Sequence, residues 1–201
     1  MSRKRPAKPI KDANTVLDIQ DYLKYKSERN FVLFVLGITT GFRAGDLVKL
    51  RVRDIKDALK RGEFEILEDK KKNSRNIREK NRKPRKVEII PKLHRILKEF
   101  IRDRKDYEYA FQSRKGVNKH IGVQAVSNTL KEAGEYFGLQ DITAHSMRKT
   151  YAYRIYIMSD KDIVAVKELL GHSSIEETKL YIGLDRERYH QYSKSLSDFV
   201  R

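Results

Sequence analysis

Residues 31–38, FVLFVLGI, carry no charged or polar side chain. A helix built on such a run has no face to offer to water, so the rest of the chain must surround it. Eight apolar residues fall well short of the roughly 20 that a bilayer span requires, which makes this a buried element and not a membrane one. The helix is predicted over about Asn30–Thr40, ending at Gly41, a residue suited to the left-handed cap that stops a helix. With 201 residues and no cysteine, the chain is long enough to wrap a core around this helix without disulfide staples.

Helical spacing recurs along the chain. Val16, Ile19, Tyr22 and Leu23 mark a first helix with Asn14 or Thr15 as its cap, and AGDLVKL starts a short helix just beyond Gly41. The period then changes. FEILE (64–68) and KVEII (86–90) read as strands, and the basic connection between them makes a long β-hairpin. Pro91 opens a helix to about Arg104, YAF (109–111) reads as a short strand, and a helix over 123–138 is closed by Gly138. Further helices are expected over 145–158, over 160–170 with Ser159 or Asp160 as cap and Gly171 as stop, and over 174–182 and 186–199. The fold class is mainly α with a small antiparallel β-sheet (α+β): a flexible basic arm over 1–13, without the apolar stretch of a signal peptide, then one domain over 14–201.

The formal charge is +17, from 45 Lys and Arg against 28 Asp and Glu, and the pI is near 9.9. Such an imbalance attracts polyanions, nucleic acid first among them. Four places then carry chemistry. In TTGFRAGDLVKLRVRDI (39–55), Arg43 sits on a short junction between two helices, where a planar guanidinium either grips two phosphate oxygens or pairs with Asp46 or Asp54. In HSMRKT, His145 and Arg148 are three apart on one helix face and can address one phosphate together. In LLGHSSIEETKLYIGL (169–184), His172 leaves a helix just behind Gly171, and Tyr181 lies on the helix that follows. A phenol is only about 0.1% ionised at neutral pH, so Tyr181 attacks only with arginines to hold the developing charge and a histidine to handle its proton.

The fourth place is KKKNSRNIREKNRKPRK (70–86), where ten of 17 residues are Lys or Arg. Lys70, Lys71, Lys72, Arg75, Arg78, Lys80, Arg82, Arg85 and Lys86, with Lys149 elsewhere, form the expected DNA-binding set, and one hairpin lysine suits the general acid that protonates a departing 5′-oxygen. The five histidines are scattered and thiolates are absent, which agrees with an expectation of no metal centre.

These three boxes, in this order, resemble those of the tyrosine recombinases, or phage integrases, over about residues 14–190. The resemblance implies the catalytic-domain fold of that family and site-specific cutting and rejoining of DNA through a 3′-phosphotyrosine, with no metal and no cofactor. Arg43 and Arg148 would clamp the scissile phosphate, and Tyr181 would attack it. His145 would handle protons, His172 would hydrogen-bond where relatives carry His or Trp, and Asp46 would support the site. Counting back from VEIIP favours Lys83 as the catalytic lysine, with Lys80 the alternative, because this hairpin is longer than the family's usual one and lacks its glycine. Ala144 stands where a proline is common. About 13 residues precede the first helix, so the family's N-terminal core-binding domain is expected to be absent. Double-stranded DNA is the expected partner, with a homo-oligomer of two to four subunits assembled on it, residues 186–201 packing on a neighbour, and neither membrane nor small-molecule substrate. The expected location is cytoplasmic, with the nucleoid. A non-cleaving DNA-binding regulator and a type IB topoisomerase are the other readings this pattern allows.

Overall fold

The computed structural model describes residues 6–67, 84–172 and 174–184. Cα packing divides the chain into two compact units, Met1–Tyr151 and Ala152–Arg201, within the stretch expected as one domain.

The first unit is organised by its apolar helix. Helix α1 (Ala13–Lys26) packs on α2 (Glu28–Thr40), in which Val32, Leu33, Phe34, Val35, Leu36 and Gly37 are all buried. Six consecutive buried positions leave no solvent side, as the sequence required. A short α3 (Ala44–Leu47) follows Gly41, and α4 (Val52–Arg61) follows it as a separate helix that the sequence reading had not resolved. Asp54 starts α4 by accepting the Arg51 backbone N–H at 2.8 Å.

Strands β1 (Glu63–Ile66) and β2 (Arg85–Glu88) pair antiparallel with Phe64 opposite Val87. They form the one sheet among the described residues, each strand slightly shorter and earlier than expected. Residues 68–83 lie outside the described set.

Helix α5 (Pro91–Phe100) has its proline in the first turn and stops before Arg104. The YAF segment makes only a single bridge, Tyr109 with Arg51, yet Ala110 and Phe111 are fully buried, and Phe111 stacks on Phe100 at 5.7 Å. Helix α6 (Val123–Tyr136) packs on α1, and α5 packs on α2 and α4.

Helix α7 (Ala144–Met158) begins in the first unit, and the boundary falls within it. The second unit holds α8 (Ile163–Leu170), packed on α9 (Ile175–Ile182), each closed by a left-handed glycine. The predicted helix over 186–199 lies outside the described residues.

Two caps differ from expectation. Asp12, not Asn14 or Thr15, starts α1, accepting from the Thr15 N–H at 2.7 Å and its hydroxyl at 2.8 Å. Asp162, not Ser159 or Asp160, starts α8, accepting from Val164 and Ala165 at 2.9 and 3.0 Å. Asp160 has φ 50°, outside the extended range that a helix cap adopts.

Candidate functional site

The candidate residues of the first unit gather where α2 ends. Gly41 has φ 63° and ψ 18°, and its N–H donates to the Gly37 carbonyl. A Cβ at this position would run into the Tyr151 ring of α7, so both the backbone angle and the close approach require glycine. One turn earlier, Gly37 lets Met147 come so close that a Cβ would lie 2.6 Å from its sulfur. Two glycines thus set α7 against α2, and Arg148 lies between their two contacts.

Arg148 is 1% exposed. Its Nη1 donates to the Gly41 carbonyl at 2.8 Å across 107 residues of sequence. Arg43, two residues after that carbonyl, is the half-buried N-cap of α3, and Asp46 in the same short helix is buried. The chain therefore brings the Arg43 junction and Arg148 to one corner of the first unit. Asp54, one of the two acids considered as a partner for Arg43, instead serves the Arg51 backbone at the start of α4.

His145, the second residue of α7, is exposed. The helix start beneath it is tied down: the Ser127 hydroxyl of α6 accepts from the Ala144 N–H at 3.2 Å, and the Thr143 hydroxyl accepts from the His145 N–H at 3.3 Å. These bonds satisfy N–H groups that a helix start leaves open, and they fix where the imidazole emerges.

Of the expected DNA-binding residues, three lie within the described set, and they divide. Arg85 donates from Nη2 to the Thr40 carbonyl at 2.5 Å and from Nη1 to the Gly41 carbonyl at 3.1 Å. Its guanidinium also lies 4.9 Å from the Phe42 ring centre and 5.4 Å from that of Tyr151. It thus helps build the corner, neutralising the partial negative charge at the end of α2. Strand alternation was the available signal, because Arg85 and Val87 share the more buried face of β2. Lys86, on the other face, is exposed and paired with Glu63 at 3.2 Å. Lys149 is 8% exposed, and burial pushes its pKa below the usual lysine value. Lys70, Lys71, Lys72, Arg75, Arg78, Lys80, Arg82 and Lys83 lie outside the described residues.

The second unit carries the histidine and tyrosine. Gly171, at φ 66°, turns the chain out of α8, and the His172 N–H closes the helix end on the Lys167 carbonyl at 3.0 Å. Ser174 caps α9 by accepting the Glu177 N–H at 3.0 Å. The His172 ring meets the Tyr181 ring edge-on, with centres 4.8 Å apart and planes at 72°. His172 Nδ1 is also 3.0 Å from the Thr178 hydroxyl, a contact the sequence reading missed. Thr178 lies one helical turn before Tyr181, on the same face of α9, and that spacing was its only signal.

Among the described residues, no cluster of three or more His, Asp or Glu is placed to hold a metal ion, and no helix is long and apolar enough to cross a membrane.

Comparison with known proteins gives this arrangement its class. The family model described as "Phage integrase family" matches residues 10–188. A "Probable integrase/recombinase YoeC" of Bacillus subtilis (strain 168) is 31% identical over 179 residues, 89% of this chain and 91% of the relative. A "Tyrosine recombinase XerC" of Roseiflexus castenholzii (strain DSM 13941 / HLO8) is 28% identical over 171 residues, 81% of this chain but 49% of the relative. The chain thus spans nearly all of the first relative and about half of the second. Among solved structures, XerA recombinase superimposes with a TM-score of 0.65 at 18% identity, covering 98% of this chain and 67% of that one. XerH site-specific recombinase bound to palindromic difH, in a post-cleavage complex, gives 0.62 at 20% identity, covering 95% and 53%. At that identity the structural likenesses establish the fold. The chain belongs to the phage integrase family, the tyrosine recombinases.

Proposed function

We infer that this protein is a site-specific DNA recombinase whose reaction runs through a tyrosine–DNA bond. The observation that carries the reading is the buried Arg148, hydrogen-bonded at 2.8 Å to the carbonyl two residues before Arg43. Arg148 thus meets the backbone two residues before Arg43, which supports a pair of guanidinium groups clamping a phosphodiester.

In the reaction, the Tyr181 oxygen attacks phosphorus and its proton passes to His145. Arg43 and Arg148 hold the charge that grows on the non-bridging oxygens, and His172 adds a hydrogen bond to one of them. The bond to the 5′-oxygen breaks, and Lys83, or Lys80 in its place, protonates the leaving group. The phosphodiester is exchanged for a phosphotyrosine, so a 5′-hydroxyl from a second strand can reverse the step without nucleotide hydrolysis. Asp46 supports the Arg43 junction from within α3. The basic connection, with Lys86, grips the DNA backbone in a salt-dependent way. Strand exchange needs more than one active site, so the working form is a homo-oligomer on DNA, two to four subunits, at the nucleoid. Deleting 186–201 should weaken that assembly in a native gel with site DNA.

A nicked suicide duplex, which loses the 5′-hydroxyl after cutting, tests the chemistry. The wild-type protein should form an SDS-resistant adduct, and Tyr181→Phe should form none while unfolding at the same denaturant concentration. DNA binding with no wild-type adduct would make the chain a non-cleaving regulator. Relaxation of a plasmid without a specific site would point to a type IB topoisomerase.

A further inference from the structure

His172 is held by a residue whose hydroxyl leaves it only one way to bond. The Thr178 oxygen is 3.1 Å from the Ser174 carbonyl and 3.0 Å from His172 Nδ1. A carbonyl only accepts, so the single hydroxyl proton of Thr178 goes to Ser174. The same oxygen then meets the imidazole as an acceptor, and Nδ1 must carry the ring's proton. A neutral imidazole has one N–H, so its lone pair lies at Nε2.

We propose that Thr178 is a positioning residue that fixes both the orientation and the tautomer of His172, making Nε2 the working nitrogen of the proposed phosphate site. A neutral ring then offers Nε2 only as an acceptor, and a hydrogen bond from Nε2 to a phosphate oxygen is given by the charged ring alone. Thr178 is fully buried, so it acts through His172. Tyr181 stands one turn further along the same helix with its ring 4.8 Å from the imidazole, so one face of α9 orients both groups.

The catalytic half of this assignment rests on the recombinase reading, but the tautomer does not, so the free protein tests it first. Nitrogen NMR of the full chain labelled at histidine, at a pH where the ring is neutral, should show His172 protonated at Nδ1, with the resonance assigned by its loss in His172→Gln. Thr178→Val, close in shape but without the hydroxyl, should abolish that preference, and Thr178→Ser should keep it. A wild-type ring protonated at Nε2, or a Thr178→Val spectrum like that of the wild type, overturns the proposal.

In single-turnover cleavage of the nicked duplex, Thr178→Val should slow adduct formation by about tenfold or more, with Thr178→Ser restoring most of the rate. DNA affinity should stay within about twofold of wild type, since the fully buried Thr178 adds no charge to the DNA-binding surface. Equal slowing by both substitutions would sink the positioning role. The expected spectra together with no adduct from the wild type would uphold the tautomer assignment and sink the recombinase reading instead.

Discussion

The corner around Gly41 and the hook from Gly171 to Tyr181 hold their functional groups by different means. Arg43 and Arg148 depend on tertiary contacts: α2 is buried on every side, Gly37 and Gly41 admit α7, and Arg85 closes the helix end from a β-strand. His172 and Tyr181 depend on local ones, a glycine stop, a serine cap and a threonine hydroxyl within thirteen residues of chain, 171–183. Leu169 and Leu180 in the hook's helices are exposed at 41% and 67%, whereas apolar side chains at the corner are almost wholly covered. Arg43 and Arg148 are thus positioned by the folding of the core, and His172 and Tyr181 by the geometry of two short helices. Elements with few buried contacts open locally at low cost, so amide exchange in the hook should be faster than at the corner.

Four substitutions break or sharpen this contrast. Gly41→Ala should be the most damaging, costing about 3 kcal/mol in urea unfolding, from a left-handed backbone plus the collision with Tyr151. Arg85→Gln should cost about 2 kcal/mol, because two charge-assisted bonds to the end of α2 are weakened, and should lower cleavage with it. Gly183→Ala has the same left-handed backbone at φ 73°, but nothing lies within 4 Å of an added Cβ, so only about 1 kcal/mol is expected. Equal losses at Gly41 and Gly183 would show that crowding does not define the corner.

The smallest effect is a pH dependence. Burial depresses the Lys149 pKa, so below that folded-state value the charged amine carries a cost. Between the folded value and 10.5 the unfolded chain binds more protons, and stability rises with pH there. Lys149→Met should remove that alkaline rise, as urea titrations across the range would show.

Much of this was legible in the sequence, for identifiable reasons. The buried α2, its glycine stop and the strand pair were set by local periodicity, which needs no tertiary knowledge. The caps were missed at Asp12 and Asp162 because each has near neighbours in sequence that also make good caps, and only hydrogen bonds distinguish them. Arg85 and Lys149 were grouped with the DNA-contacting cations because charge alone does not show which side of an element faces inward. For Lys149 the helical spacing pointed the wrong way, because Met147 and Tyr151 share the opposite face, and its burial comes from tertiary packing that spacing does not show. Thr178 was hidden for another reason: threonine is an ordinary helix residue until a histidine is found on its oxygen.

One carbonyl of the corner has a consequence for coupling. The Gly41 oxygen has two lone pairs, and Arg148 and Arg85 each take one. Strand β2 begins at Arg85, so the strand and the buried Arg148 meet at a single atom. A shift of the strand's first residue is therefore transmitted to the α7 arginine without passing through the hydrophobic core.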